Sequence, residues 1–87
     1  MRKIVTLKNK IGTTVRLMLF EEKYGFYLFG YDKLEDCPCI WDEFYEDIDD
    51  LYERGNDKFD VKFEDWINIA EQLEGCQHDL IKSTPSV

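Results

Sequence analysis

The chain has 87 residues and a net charge of −8, and 44% of its residues are hydrophobic and 15% aromatic. A chain of this length forms one small domain, and its aromatic content argues against intrinsic disorder. No apolar run approaches the roughly 20 residues that span a bilayer, so we expect no contact with a membrane. We predict a single acidic α+β domain over residues 1–82 and a flexible C-terminal tail over residues 83–87.

The cysteine content and the N-terminus indicate the compartment. The three cysteines, Cys37, Cys39 and Cys76, are an odd number on a short chain and do not form a disulfide framework. Met1–Thr6 contains basic residues but no apolar signal core. Free thiols suit a reducing environment, so we expect a cytoplasmic protein.

The charge is distributed unevenly along the chain. Residues 1–20 contain five basic side chains and no acid, whereas residues 21–87 contain 19 acids and six bases, a net charge of −13. An acidic surface attracts basic proteins and repels nucleic acid. Direct nucleic-acid binding through the basic first hairpin is therefore the weakest of the hypotheses considered below.

Three β-strands are predicted in the first 31 residues. Lys3–Lys8 is rich in β-formers, Thr13–Phe20 alternates clearly, and Phe26–Tyr31 is apolar throughout. The connections, Asn9–Gly12 and Glu21–Gly25, are short and contain turn residues. Parallel strands need a longer crossover, so these spacings indicate antiparallel hairpins.

The third strand is apolar on both faces. Phe26 and Leu28 point to one side, and Tyr27, Phe29 and Tyr31 point to the other. Because large exposed apolar patches are uncommon on monomers, we expect these aromatic side chains to be buried or half-buried. Should they be exposed instead, strand 26–31 would serve as an interaction or assembly surface.

A helix is predicted over Asp42–Arg54. Apolar residues at i, i+3, i+4, i+7, i+10 and i+11 would form one stripe, composed of Trp41, Phe44, Tyr45, Ile48, Leu51 and Tyr52. Asp42 is the predicted N-cap and Gly55 the predicted C′ residue.

A second helix is predicted over about Phe63–Glu74, where Gly75 ends an apolar stripe formed by Phe63, Trp66, Ile67, Ala70 and Leu73. Lys58–Lys62 reads as a short strand between the helices, and Leu80-Ile81 as a last short strand or a segment docked on the core. The element order predicts an α+β fold in which an N-terminal antiparallel sheet of three to four short strands is followed by two amphipathic helices packed on one face.

Two pairs of soft ligands, Cys37 with Cys39 and Cys76 with His78, raise the possibility of a tetrahedral zinc site. The C-x-C spacing is tighter than the usual C-x₂₋₄-C, and Pro38 stiffens it. Free cysteines and a surface histidine are the alternative interpretation. We therefore predict no metal ligand and no cofactor, and keep a zinc-stabilised module as an open alternative.

The sequence gives little support for catalysis. His78 is the only histidine, and the serines, Ser83 and Ser86, both fall in the predicted tail. The glycines are dispersed and do not form a phosphate-binding loop. General acid–base catalysis needs carboxyl groups with perturbed pKa values, and solvated helix carboxylates lack them. We expect this protein not to be an enzyme.

The strongest functional feature is the acidic face of the first predicted helix. We predict a partner-binding site of seven acids with two aromatic residues at its margin: Asp42, Glu43, Glu46, Asp47, Asp49, Asp50, Glu53, Tyr45 and Tyr52. On one helix the seven carboxylates would span about 17 Å, a charge density approaching that of duplex DNA. Solubility alone is the competing explanation.

In size, acidity and α+β build, the chain resembles two groups of small inhibitors. One group is the bacterial immunity proteins that neutralise nuclease toxins, and the other is the phage proteins that block host defences such as CRISPR effectors. The resemblance implies a stoichiometric inhibitor whose partner is a basic protein, either a nuclease or another nucleic-acid-binding protein. The oligomeric state is not predicted.

Overall fold

The fold is a five-stranded antiparallel sheet with one α-helix, given by a computed structural model that describes residues 1–71 and 79–81. The sheet order is β4-β3-β2-β1-β5. The elements in chain order are β1 (Arg2–Ile11), β2 (Thr14–Glu22), β3 (Gly25–Tyr31), β4 (Trp41–Tyr45), α1 (Ile48–Phe59), a 3₁₀ helix (Phe63–Asp65) and β5 (Ile67–Ile69).

The predicted fold class is therefore wrong, because the described residues form a larger sheet and one α-helix instead of two. With 12 residues and an acidic face, α1 has neither the length nor the apolar character of a transmembrane helix, and no other α-helix occurs in the described ranges. The predicted tail, residues 83–87, lies outside those ranges.

The first three strands occur where the sequence predicts them. β1 continues to Ile11, beyond the predicted end at Lys8, and the hairpin closes at Gly12 and Thr13. Gly12 has φ 60, a conformation that glycine adopts at no steric cost. The central strand β2 pairs with both neighbours, so that Met18 lies between Ile4 and Phe29.

Residues 41–45, predicted as the first helical turn, instead form the edge strand β4. Trp41 pairs with Gly30 and Tyr45 with Phe26 of β3, so Asp42 is not a helix N-cap. Trp41 and Tyr45 are four residues apart, a spacing that fits one face of a strand as well as one face of a helix. Aromatic residues favour strands, and the apolar β3 gains a second neighbour by this pairing.

The helix begins and ends later than predicted. Asp47 is the N-cap, and its side chain accepts a hydrogen bond of 2.9 Å from the backbone N–H of Asp49. Asp60 is the C-cap with φ 56, and its N–H donates to the carbonyl of Asn56. Gly55, the predicted C′ residue, is buried inside α1.

Two predictions for residues 58–71 are wrong. Residues 58–62 do not form a strand, and residues 63–71, the described part of the predicted second helix, do not form an α-helix. Phe63–Asp65 forms a single 3₁₀ turn, and Ile67–Ile69 forms β5, which pairs with Arg2–Ile4 of β1. This pairing provides hydrogen-bond partners for the start of the outer edge of β1, a long-range gain that helical periodicity does not reveal. Residues 72–75, the rest of that prediction, lie outside the described residues.

One face of the sheet, which we call the helix face, packs against α1. Its buried residues form a single core cluster composed of Val5, Leu7, Leu17, Leu19, Leu28, Leu51, Phe59, Val61 and Trp66. Trp41 of β4 stacks on Phe59 of α1 at 5.7 Å between ring centroids and donates a hydrogen bond to Thr14. The helix therefore lies across the sheet with its apolar stripe inward.

The opposite face, which we call the loop face, is covered by irregular chain. Its buried cluster is composed of Met18, Phe20, Phe29 and Tyr31, with Cys37, Cys39 and Ile81 packed against it. The covering segments are residues 32–40 and 79–81. Phe29 is 1% and Tyr31 0% exposed, and Tyr27 is half-buried, which confirms that the aromatic strand is buried or half-buried.

Two buried arginines attach the irregular segments to the loop face. Arg2 is 1% exposed, and its guanidinium donates to the carbonyls of Ala70, Leu80 and Ile81. Arg16 donates to the carbonyl of Leu34 at 2.7 Å and stacks over the ring of Tyr31. Backbone carbonyls that leave water need donors, and these guanidinium groups supply them.

The two irregular segments are also hydrogen-bonded to each other. The Asp79 carboxylate accepts from the backbone N–H of Cys39, and the Asp36 carboxylate accepts from that of Ile81. Tyr31 donates its hydroxyl proton to the carbonyl of Asp79. Leu80-Ile81 is therefore docked on the core, the second of the two predicted alternatives.

We expect Gly55→Ala to stabilise the protein by about 0.5–1 kcal/mol, because alanine is the better helix former. A Cβ at this position would lie 3.5 Å from the Trp66 ring, an ordinary contact. Gly30→Ala is the control and should be strongly destabilising, because its Cβ would overlap the Trp41 indole. Urea denaturation measures both, and a loss of stability in Gly55→Ala would contradict the helical placement.

We expect Arg2→Leu to release residues 79–81 while the sheet remains folded, because three carbonyls lose their donor. Amide hydrogen exchange at Ile81 and Cys39 should accelerate about tenfold or more, with β2 amides still protected. Arg54→Leu removes the same charge from the surface and should leave both amides unchanged. Equal acceleration at every amide would show global unfolding and would contradict a local role for Arg2.

Candidate functional site

The nine residues predicted as a partner-binding site do not lie on one helix. Asp42, Glu43 and Tyr45 belong to β4, and Glu46 and Asp47 connect β4 to α1. The helix carries the others, Asp49, Asp50, Tyr52 and Glu53. The single acidic helix face is therefore replaced by a surface formed by a strand and a helix together.

A groove between β4 and α1 brings four of the nine residues together. This groove, which we call the acidic groove, has a volume of about 360 Å³ and is lined by Glu43, Tyr45, Asp50, Glu53, Arg54 and Asp57. β4 contributes the side chains that alternate toward the helix face. The helix contributes residues at i, i+3, i+4 and i+7, which share one face.

Glu43 is held at the floor of the groove by two donors. Tyr45 donates its hydroxyl to Glu43 Oε1 at 2.7 Å, and Arg54 Nη2 lies 3.2 Å from Glu43 Oε2. Burial opposes ionisation, but these hydrogen bonds and the Arg54 charge outweigh it and lower the pKa of Glu43. Burial and the adjacent Glu43 carboxylate raise the pKa of Tyr45 to about 12. Glu43 is therefore ionised and Tyr45 neutral near pH 7.

The remaining acids of the groove are not neutralised by this cluster. Asp50, Glu53 and Asp57 are exposed, and none forms a salt bridge with another described residue. Four carboxylates therefore face a single guanidinium, Arg54, which is already paired with Glu43. The groove presents a net negative charge to solvent.

Five of the nine predicted residues do not line the groove: Asp42, Glu46, Asp47, Asp49 and Tyr52. Asp42 pairs with Phe29 in register, which places it on the loop-face side of β4. Tyr52 accepts a hydrogen bond of 3.3 Å from Lys3 Nζ and packs edge-on against Phe63. Tyr52 is thus part of a lysine–aromatic cluster and contributes nothing to the acidic groove.

Sequence reasoning missed two residues of the groove, Arg54 and Asp57. Both continue the helical spacing that begins at Asp50. Asp57 lies beyond the predicted helix end at Arg54, and Arg54 itself is not among the acids and aromatic residues that the charge pattern selects.

The basic N-terminal hairpin offers less positive surface than its sequence suggests. Arg2 and Arg16, two of its five bases, are buried against the loop face. Lys3 lies over the rings of Tyr52 and Phe63. Lys8 and Lys10 are the exposed bases of β1.

Cys37 and Cys39 are free and partly buried against the loop face. Burial, reinforced by Asp79, raises the pKa of the Cys39 thiol to about 11, so it is protonated near pH 7 and is a poor nucleophile. Residues 1–71 and 79–81 contain no cluster of three or more side chains suited to a metal ion. Cys76 and His78, the other half of the zinc alternative, lie outside those residues.

Comparisons with known protein families, with curated proteins and with solved structures found no match to this chain. Function is therefore inferred from the charges, the exposed groups and the free strand edges of the chain itself.

We expect the Glu43 carboxyl to titrate below its ordinary pKa of 4.5 in a carbon-detected NMR titration. A lowered pKa in the folded state stabilises the protein above about pH 4.5, and this contribution is lost as the pH falls through the lowered value. Arg54→Gln or Tyr45→Phe should raise the pKa of Glu43. Lys8→Gln, on the far side of the sheet, is the control, and an unshifted Glu43 in all three variants would contradict the cluster.

Proposed function

We propose that this chain is a non-catalytic binding protein that blocks a basic surface on its partner, a nuclease or another nucleic-acid-binding protein. The acidic groove between β4 and α1 carries the proposal, because it collects Glu43, Asp50, Glu53 and Asp57 beside one arginine. The proposed biological role is that of an immunity protein or of a phage protein directed against a host defence. The proposed compartment is the cytoplasm, where free cysteines stay reduced.

The spacing of the helix charges supports competition with nucleic acid. Asp49, Asp50, Glu53 and Asp57 span about 12 Å at a rise of about 1.5 Å per residue. The three intervals between them average about 4 Å along the helix axis, comparable to the spacing of about 3.4 Å per phosphate along one DNA strand. A surface that binds a phosphate backbone meets a similar density of negative charge along α1.

The overall charge supports rapid association with a basic partner. The net charge of −8 attracts such a partner at long range, and opposite potentials increase association rates more than they increase affinity. Salt would screen this attraction, since the Debye length is about 8 Å at physiological ionic strength. Complex formation should therefore slow markedly between low and high salt.

The alternative function, an assembly module that uses strand 26–31, has weaker support. Phe29 and Tyr31 are fully covered by residues 32–40 and 79–81, so they are not available to another chain. Tyr27 keeps partial exposure, and Phe44 of β4 packs against it. Of the three loop-face aromatic residues of this strand, Tyr27, Phe29 and Tyr31, only Tyr27 remains partly accessible.

Charge reversal in the acidic groove tests the proposed function. The variant Asp50→Lys/Glu53→Lys/Asp57→Lys and the wild-type chain serve as baits in a lysate of the cells in which the chain is expressed naturally, which for a phage protein are the host cells. We expect the wild type to capture basic nucleic-acid-binding proteins that excess duplex DNA displaces. The groove variant should recover them at least about tenfold less, and the wild-type chain should inhibit nucleic-acid cleavage or binding by the captured protein.

The matched control is Asp32→Lys/Glu35→Lys/Glu64→Lys, which changes the net charge equally at exposed sites outside the groove. It should retain capture, because the partner contacts the groove. Equal losses in the two variants would show that net charge alone attracts proteins. Capture that DNA does not displace would sink the proposal that a nucleic-acid-binding surface is blocked.

A further inference from the structure

β4 is an edge strand whose outer side is unpaired within the described residues. The sheet ends at β4, and β3 is its one strand partner in residues 1–71 and 79–81. An unpaired edge presents backbone N–H and C=O groups that can pair with another extended segment. The edge is short, since β4 comprises five residues, Trp41–Tyr45.

The register identifies which backbone groups face outward. The carbonyl of Gly30 accepts a hydrogen bond of 2.8 Å from the N–H of Ile40, so the backbone of Gly30 is directed toward β4. In an antiparallel pair, residues alternate between hydrogen-bonded and non-hydrogen-bonded positions. Trp41, opposite Gly30, is thus directed inward, and Asp42 and Phe44 direct their N–H and C=O groups to the outer edge.

The two sides of this edge differ in chemistry. On the helix-face side lies the acidic groove, whose floor includes Glu43 of β4 itself. On the loop-face side lies the ring of Phe44, 44% exposed and packed edge-on against Tyr27 at 5.1 Å. A segment lying along the edge would therefore place alternate side chains on an acidic surface and on an aromatic surface.

The charge argues against a second copy of this chain as the occupant of the edge. Two β4 edges pairing with each other would bring Asp42, Glu43 and the acids of both grooves together, and like charges opposite each other destabilise a strand pair. Each copy also carries a net charge of −8. A basic segment meets the opposite sign at Glu43 and at the other acids of the groove.

We propose that the β4 edge binds an extended basic segment of the partner as an added strand. Lysine or arginine side chains on one side of that segment enter the acidic groove, and apolar side chains on the other side contact Phe44 and Tyr27. This inference rests on the proposed function and specifies the partner's contact: an extended, alternating basic and apolar stretch, bound by backbone pairing as well as by charge.

The probe is a labelled seven-residue peptide of alternating lysine and valine with blocked ends. We expect it to bind the wild-type chain in fluorescence anisotropy and to protect the Asp42 and Phe44 amides from hydrogen exchange. A peptide of the same composition with its lysines grouped in one block should bind at least about tenfold more weakly. Methylating the alternate peptide nitrogens that face β4 should abolish binding, whereas methylating the others should not.

Two variants at one position isolate the backbone contact. Phe44→Pro removes an outward N–H without breaking the β3–β4 ladder, a placement that edge strands tolerate. Phe44→Ala removes the same ring and keeps the N–H. We expect Phe44→Pro to bind the alternating peptide at least about tenfold more weakly than Phe44→Ala, with both variants shown to be folded by circular dichroism.

The outcomes separate this inference from the proposed function. Binding that the charge reversal at Asp50, Glu53 and Asp57 abolishes, but that is equal in Phe44→Pro and Phe44→Ala, overturns strand addition and leaves the charge-based function intact. Binding that requires the Phe44 N–H but not the groove acids supports strand addition and counts against the function. Lack of binding at millimolar peptide overturns the inference.

A dimer of the wild-type chain in sedimentation that the Phe44→Pro substitution dissociates also overturns the inference, because a second copy of the chain then occupies the edge.

Discussion

The need to cover both faces of one small sheet determines most of this structure. Leu17, Met18 and Leu19 are consecutive in β2 and have no solvent exposure, although their side chains alternate between the two faces. The described chain contains a single α-helix, which covers the helix face. The loop face is covered by residues 32–40 and 79–81, which lack regular structure and must satisfy their backbone polar groups in another way. Arg2 and Arg16 meet this need by donating to carbonyls of the covering segments.

This use of arginine changes how the charge of the chain is presented. Two of the 11 bases are buried, whereas the acids of β4 and α1 remain at the surface. The sequence suggests a basic hairpin opposed to an acidic remainder. In the folded chain the hairpin loses its two arginines to the interior, so the acidic groove meets less opposing positive surface than the sequence implies. Burial of the two arginines that attach the irregular segments therefore leaves the negative charge of the groove less balanced by positive charge at the surface.

The first three strands could be predicted from the sequence because their patterns, rich in β-formers, alternating or apolar throughout, are local. The start of α1 could not be placed from the sequence. The spacing of Trp41 and Tyr45 fits the helical period and the strand period alike, and only the pairing with β3 decides between a helix and a strand. The pairing of β5 with β1 is also long-range, so the i, i+3 and i+4 spacing of Phe63, Trp66 and Ile67 was misread as a helix. The acids of the site were identified by type, but a shift of α1 by several residues divided them between two elements. Local sequence patterns identify the residue types of the site, and long-range strand pairing determines which of those side chains share a surface.

The charges around β4 serve two purposes that do not conflict. An unpaired strand edge invites pairing with any extended chain, and short edges with charged side chains limit this. Asp42, Glu43 and the groove acids repel other copies of this chain, since every copy carries the same charges at the same edge. A basic segment would meet attraction at Glu43 and the other groove acids, so under the function that we propose the charges that disfavour pairing between copies would also select the sign of the partner. Solubility requires acids somewhere on the surface, but it does not require them to flank the β4 edge, where Asp42 and Phe44 direct backbone groups outward. The binding that we propose would account for that coincidence, because charge and backbone pairing would then act on the same segment.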